Sequence, residues 1–409
     1  MLDYSSRMSR DRRIAAGLVV VSTLAVAGAW WSAPIRQSHL VPAATAFVEY
    51  PAATKAQAAY TEAARYPGDF SNANPVVAGG LVMTVENTDQ GSRLQAHHPL
   101  TGEVVWEYSR NYQLCSLGTA WDTVVATYRT GVGCGDVVAL RANTGQYAYT
   151  RSANAPSEAL NLESNDRVGT IAPQRLELWR SDLVRTIEYG EVEAKQEPNM
   201  QPHEDCTITS AWTRSEDLAL TEICDGSLWL RQLQTSPEDS RKPEIAHETE
   251  LAPQSVVIAL SADAVAVYSP GPTPTISRYS TAGELLGSIE VASAPAVTTA
   301  EDAVFIAHGG DLPHHITWFD GVRLYILHPL TLEIEHVLDD AVGSPVAVGA
   351  EFAYPTAAGI AMASWDTGEK SREIPLDRGG YHGPIGLKLA GDAFVEKQGT
   401  TVVTYLPVP

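Results

Sequence analysis

The chain has 409 residues, 44% of them hydrophobic, with 28 Lys and Arg against 49 Asp and Glu and a formal charge of −21. So acidic a surface lacks the cations that neutralise phosphates, which excludes nucleic acid as a partner and disfavours binding to anionic headgroups. Four cysteines form an even set with no CxxC pair, which favours disulfides in an oxidising compartment over zinc.

At the N terminus Arg7, Arg10, Arg12 and Arg13 stand against Asp3 and Asp11, and an uncharged run of 18 residues follows from Ile14 to Trp31. At about 1.5 Å per residue such a helix is about 27 Å long, enough for a hydrocarbon core of roughly 30 Å. The expected order is a cytoplasmic tail (1–13), a single transmembrane anchor (14–33) and an exported, periplasmic remainder, with the arginines inside. Trp30 and Trp31 fall where an aromatic belt meets the outer headgroups, which favours a retained anchor. A cleaved secretory signal, for which Ala25 and Ala27 offer small residues, would export the chain equally. Without the tail the exported part carries about −23.

Residues 34–69 are alanine-rich and read as a stalk that ends in a ring-closing segment, with one short helix over Thr54–Arg65. From 70 to 409 the pattern changes to short alternating runs rich in β-branched and aromatic residues and broken by Gly, Pro, Asn and Asp. GLVMTVEN, DTVVATYR, DLALTEIC, DAVAVYSP, DAVFIAHG and EFAYPTAA are expected inner strands. Between them recurs a hairpin turn built on Thr-Gly-Glu or a variant, at Thr101, Thr144, Thr281, Thr331 and Thr367, at intervals of 43, 137, 50 and 36. The long interval holds two degenerate copies, LELWRSDLVRTIEY and LWLRQLQTSPEDSR. A repeat of roughly 40–50 residues with four short strands is a propeller blade.

The expected fold is therefore all-β: an eight-bladed β-propeller of four-stranded antiparallel blades (70–409) after one transmembrane helix. Seven blades follow instead if the unit in 153–200 is only an insertion. The last unit, IGLKLAG, AFVEKQG and TTVVTYLP, has three strands, so its fourth is expected from the segment between Phe47 and Asn74.

The cysteines repeat the same frame. CSLGTAWDTVVATYRTGVGC and CTITSAWTRSEDLALTEIC align with their first Cys six residues before Trp121 and Trp212. The expected pairs are Cys115–Cys134 and Cys206–Cys224, both at one rim, each closing a loop of about 20 residues and worth roughly 3 kcal/mol.

The turn and its following Trp, TGEVVW at Thr101–Trp106, resemble the repeat of the pyrroloquinoline-quinone-like propeller superfamily. Enzymes of that superfamily hold the quinone beside a disulfide of adjacent cysteines and a calcium ion. This chain has neither an adjacent cysteine pair nor an Asp-x-Asp cluster, so no quinone or other cofactor is expected. The layout of Arg-flanked anchor, Ala-rich stalk and propeller with paired cysteines is also similar to membrane-anchored envelope propellers of mycolate-producing actinobacteria. That resemblance implies a place beside a lipid transporter, in trehalose mycolate export or lipoglycan maturation.

No Gly-x-Ser-x-Gly elbow or phosphate-binding loop is present, and the expected function is non-catalytic. AHGGDLPHHITWFDG gathers His308, Asp311, His314, His315, Trp318, Phe319 and Asp320. Its histidines and carboxylates have no fixed metal spacing, while Trp and Phe suit a sugar or an acyl chain, so a glycolipid site is expected there and no metal. Blade order puts this loop after a second strand, on the disulfide rim. The alternatives are a scaffold that docks membrane complexes and a quinone-dependent or glycan-processing enzyme. His97 and His98, before Pro99, read as solvated turn residues.

Overall fold

The computed structural model describes residues 2–193, 195, 197–297 and 303–408. A helix, Leu2–Ser32, contains a span Arg10–Ser32 apolar enough to cross a membrane, with none of its most apolar window buried against protein. Eight sheets follow, six of them with their strands in chain order from the axis outward and two with an outermost strand taken from the segment before the ring. They are blade 1 (77–110), blade 2 (114–152), blade 3 (160–190), blade 4 (207–251), blade 5 (256–290), blade 6 (309–338), blade 7 (346–375) and blade 8 (385–407 with 60–67). Eight, not seven, is the count, and the unit in 153–200 contributes a complete blade of its own.

Burial explains the strand compositions. The second strands, such as Thr123–Thr130 and Ala264–Ser269, lie between neighbouring blades and are buried over most of their length. Outer strands such as Ile334–Leu338 alternate between half-buried and exposed residues. The core is thus a series of clusters between adjacent blades, one of which joins Met83, Trp106 and Tyr108 of blade 1 to Val124 and Leu140 of blade 2.

Tyr60–Pro67 closes the ring as the outer strand of blade 8, antiparallel to Thr401–Pro407, with Tyr60 opposite Pro407 and Arg65 opposite Val403. The helix expected over Thr54–Arg65 is not formed. A short Ala-rich helix is marginal alone, whereas the extended chain gains a full ladder, Tyr60 against Phe394 (4.8 Å) and Tyr66 against His97 (4.1 Å). Nor is 34–69 a free stalk. Ser38–Val41 pairs with Val104–Arg110 as a fifth strand on blade 1, and Ala43 and Phe47 donate backbone hydrogen bonds to Thr144 and Asn143.

Glycine turns lock blades 1, 2, 5 and 7 to the blades before them. Gly102 and Gly145 have φ of 74° and 70°, a conformation that favours glycine. The bare glycine also lets a ring from the previous blade lie on it: a Cβ at Gly145 would come within 2.7 Å of Trp106, whose Nε1 donates to Ala142 O at 2.7 Å. Tyr66 lies on Gly102, His247 on Gly283 and His336 on Gly368 in the same way, each four residues beyond its own turn position where that turn is present. Two turns depart from this. Leu183 and Leu332 hold the left-handed position with φ of 62° and 56°, at a cost of about 1–2 kcal/mol each. Both leucines are buried, filling the place of the ring; the previous blades offer at that position only an exposed Tyr149 and Gly287.

One expected strand is missing. Asp302 of DAVFIAHG lies outside the described residues, and 303–308 is irregular, touching the inner strand of blade 4 through one parallel bridge, Ser210 to Phe305. Blade 6 begins instead at Gly309–Asp311.

Candidate functional site

The residues of the expected site divide between two rims and the core. His308 precedes the innermost strand of blade 6. Its Nε2 lies 3.2 Å from Ser344 Oγ, which donates in turn to Asn74 Oδ1, and Asn74 Nδ2 donates to Gly309 O at 3.1 Å. Burial pushes the His308 pKa down to about 4. Asp311 accepts from Arg214 Nε at 2.7 Å, tying blade 6 to the inner strand of blade 4. Residues 312–315 join the first strand to the second, not the second to the third, so they open on the rim of the Thr-Gly turns, opposite the disulfides. There His315 stacks on Trp365 at 4.9 Å and pairs with Glu335 Oε2 at 2.6 Å, with His314 exposed beside the same ring at 6.0 Å.

Trp318 and Phe319 belong to the second strand, Ile316–Phe319, and are 0% and 2% exposed. Trp318 packs between Tyr268 and Tyr325, so neither ring is free to cover an acyl chain. Asp320 is buried and accepts from the Val322 and Arg323 backbone and from Arg323 Nε, which fixes the next turn. His97 is likewise buried rather than solvated, 3.0 Å from Thr84 Oγ1, because the outer strand of blade 8 covers it with Tyr66.

Both expected disulfides are formed, Cys115–Cys134 and Cys206–Cys224. Cys115 lies in the innermost strand of blade 2 and Cys206 just precedes that of blade 4. Cys224 ends a second strand, and Cys134 opens the third, so all four share one rim. Among the described residues one group of metal-ligating side chains converges, His203, Cys206, Glu222 and Cys224, and its two sulfurs are bonded to each other.

The two rims differ. Most turns between first and second or third and fourth strands are short, whereas the opposite rim carries the long inter-blade segments 191–206 and 291–308. Beside the first of these a cavity of about 260 Å³ is lined by Arg175, Arg185, Glu188, Lys195, Gln201 and Arg241. Its floor is an ion network in which Glu177 meets Arg151, Arg175 and Arg185 at 2.6–3.3 Å. Burial raises the Glu177 pKa, and the three guanidiniums more than offset it, leaving it below the ordinary range. At Glu188 burial outweighs Arg175 and Arg185, and the pKa is raised. Closer to the axis, burial raises Glu163 and lowers Lys388, each opposed by the other's charge. Charge-lined cavities of this kind suit polar groups of a partner and offer little to a hydrocarbon chain.

Sequence reasoning missed the ring-on-glycine contacts, although their spacing of four residues was present; the ring type varies among Trp, His and Tyr, which hides the motif. It also missed Ser38–Val41, whose sequence, Ser-His-Leu-Val, carries no alternation to mark it as a strand.

The architecture is that of an eight-bladed β-propeller. Among solved structures the chain is similar to BamB from Moraxella catarrhalis, at 14% identity over 85% of this chain and 99% of that one, with a TM-score of 0.50. It is also similar to Sqt1 from Saccharomyces cerevisiae, at 12% identity over 89% and 100%, with a TM-score of 0.49. No family model and no curated protein sequence matches the chain. At these identities the likeness concerns the fold alone.

Proposed function

We propose that this protein is a non-catalytic scaffold, anchored in the membrane with its arginines inside and its propeller outside, that docks a membrane protein complex on its long-loop rim. The observation that carries the reading is the short tether. The helix ends at Ser32, and Ser38 is already hydrogen-bonded to the edge of blade 1. Six residue steps span at most about 20 Å, so the ring is held against the membrane surface, within reach of membrane-embedded partners. The acidic surface and its charge-lined cavities favour protein over lipid contacts. A lipid transporter, as the likeness to actinobacterial envelope propellers implies, is one complex such a scaffold would serve. The burial of Trp318 and Phe319 weighs against a glycolipid seated between them.

The test is site-specific photo-cross-linking in native membranes from rim positions such as Glu193 and Asn199. The expected adducts are with an integral membrane protein, and they fall sharply when a long Gly/Ser insert is placed between Ser32 and Ser38. Adducts with glycolipid alone, or adducts indifferent to tether length, would overturn the reading.

A further inference from the structure

We infer that the outer strand of blade 5, Leu285–Glu290, is an open edge that accepts an extended segment of a partner protein, apolar in alternation and flanked by Lys or Arg, as an added β-strand. The inference rests on the docking reading and names a contact for it.

An outer strand with free backbone groups invites pairing, and proteins guard such edges with charges or cover. Most of the other blades do so. Blade 1 is covered by Ser38–Val41, and on blade 3 the Glu188 amide donates to Ser240 O of an overlying loop. The outer strands of blades 4, 6, 7 and 8 carry Glu248 and Glu250, Glu335, Lys370 and Arg372, and Glu62 and Arg65, while blade 2 has Arg151 tied to Glu177. Blade 5 has no charge from Leu285 to Ile289. Leu285, Leu286 and Ile289 are 60%, 48% and 53% exposed, and no described strand lies outside them.

The reason lies in the inter-blade lock. Gly287 stands at the position where Trp106, His247 and His336 lay a ring on the next turn, and Leu332 of blade 6 has taken that ring's place. The strand is thereby released from docking on its neighbour and left smooth. That a blade of this ring accepts a fifth outer strand is demonstrated on blade 1.

Charge selects the occupant. Exposed Glu284 and Glu290 bracket the apolar stretch, with Glu248 and Glu250 on the outer strand of the adjacent blade. A second copy paired antiparallel about Gly287 would set Glu284 against Glu290 at both ends, and the net charge of −21 adds to that repulsion. A strand with basic flanks meets the opposite condition.

The experiment uses the full chain in nanodiscs and a labelled synthetic peptide of alternating Val and Thr flanked by paired lysines. The expected result is saturable binding that weakens with salt, slowed amide exchange confined to Leu285–Glu290, and a loss of affinity of about tenfold or more in Leu286→Lys/Ile289→Lys. Both side chains are exposed, so the variant keeps its fold, which an unchanged melting curve checks. A matching peptide with glutamate flanks should bind the native protein more weakly. Equal binding by the variant, protection elsewhere, or a concentration-dependent dimer abolished by the double substitution would overturn the inference. Rim cross-linking to a membrane protein that persists in the edge variant would leave the docking reading intact while removing this contact.

Discussion

Blades 2 and 4 carry the same device in different surroundings. In blade 2, Cys115 and Cys134 are 2% and 1% exposed, and the neighbouring Asp136 takes Arg110 from blade 1 at 2.6 Å. In blade 4, Cys206 is only half-buried, and Glu222, two residues before Cys224, takes Arg231 within the same blade at 2.7 Å and Tyr189 from blade 3 at 2.9 Å. One staple is sealed in the core with its ion pair across a blade boundary; the other lies near solvent above a fully buried carboxylate. Identical local sequence design therefore fixes the covalent link but leaves its exposure, and the strength of the pair beside it, to the blades on either side.

The largest effect is expected from Arg231→Leu, which strands Glu222 at 0% exposure and should cost about 3–5 kcal/mol, read as a lower urea midpoint. Arg110→Leu should cost less, because the Asp136 side chain is 10% exposed and water can replace the cation. Equal losses would erase the distinction between the two blades. Replacing either cysteine pair by serine should cost roughly 3 kcal/mol, since the linked residues are 19 and 18 apart. The sharper difference is kinetic: in a dithiothreitol titration followed by peptide mapping, Cys206–Cys224 should open first. Simultaneous reduction would break the comparison.

Acid extends the contrast to blade 6, which has no staple. Burial holds His308 neutral with its pKa lowered to about 4, so the unfolded chain takes the proton first. The stabilisation is full above about pH 6.5 and is lost as the pH falls to about 4. Because the His308 residue is only partly buried, the loss should be about 2 kcal/mol rather than the roughly 3 kcal/mol of the whole shift. Amide exchange should therefore quicken around Gly309–Asp311 in that window, with the strands of blades 2 and 4 less affected; uniform quickening would count against a local origin. The smallest effect belongs to Glu335→Gln, whose partly exposed pair with His315 should be worth about 0.5 kcal/mol.

What was legible in the sequence was what local chemistry encodes: the glycine turns, the cysteine spacing and the buried second strands. The turns mark seven outer hairpins, and the eighth blade was legible only from its three terminal strands, since its outer strand is joined to them by no turn. The rim of the histidine segment was misread for a definite reason. DAVFIAHG alternates like a second strand, yet 303–308 is drawn inward against blade 4, where Phe305 donates its amide to Thr209 O. Counting it as a strand shifts the frame of blade 6 by one, and a shift of one strand moves every following loop to the opposite rim. The same error exposes Trp318 and Phe319 on paper while the fold buries them. The ring-closing strand was legible only as a missing partner; its own composition, YTEAARYP, favours helix until Thr401–Pro407 supplies a ladder.

That ladder sets the order in which the protein can be finished. Tyr60 and Pro407 are among the first and last residues of the ring to leave the ribosome, so the two strands of this ladder are made far apart in time. During synthesis the strand waits with an unpaired edge while seven blades assemble behind it, so closure is a late, long-range event of high contact order. Nascent chains stalled before Thr401 would carry an open blade 8, which makes Thr401–Pro407 the segment on which closure of the ring depends.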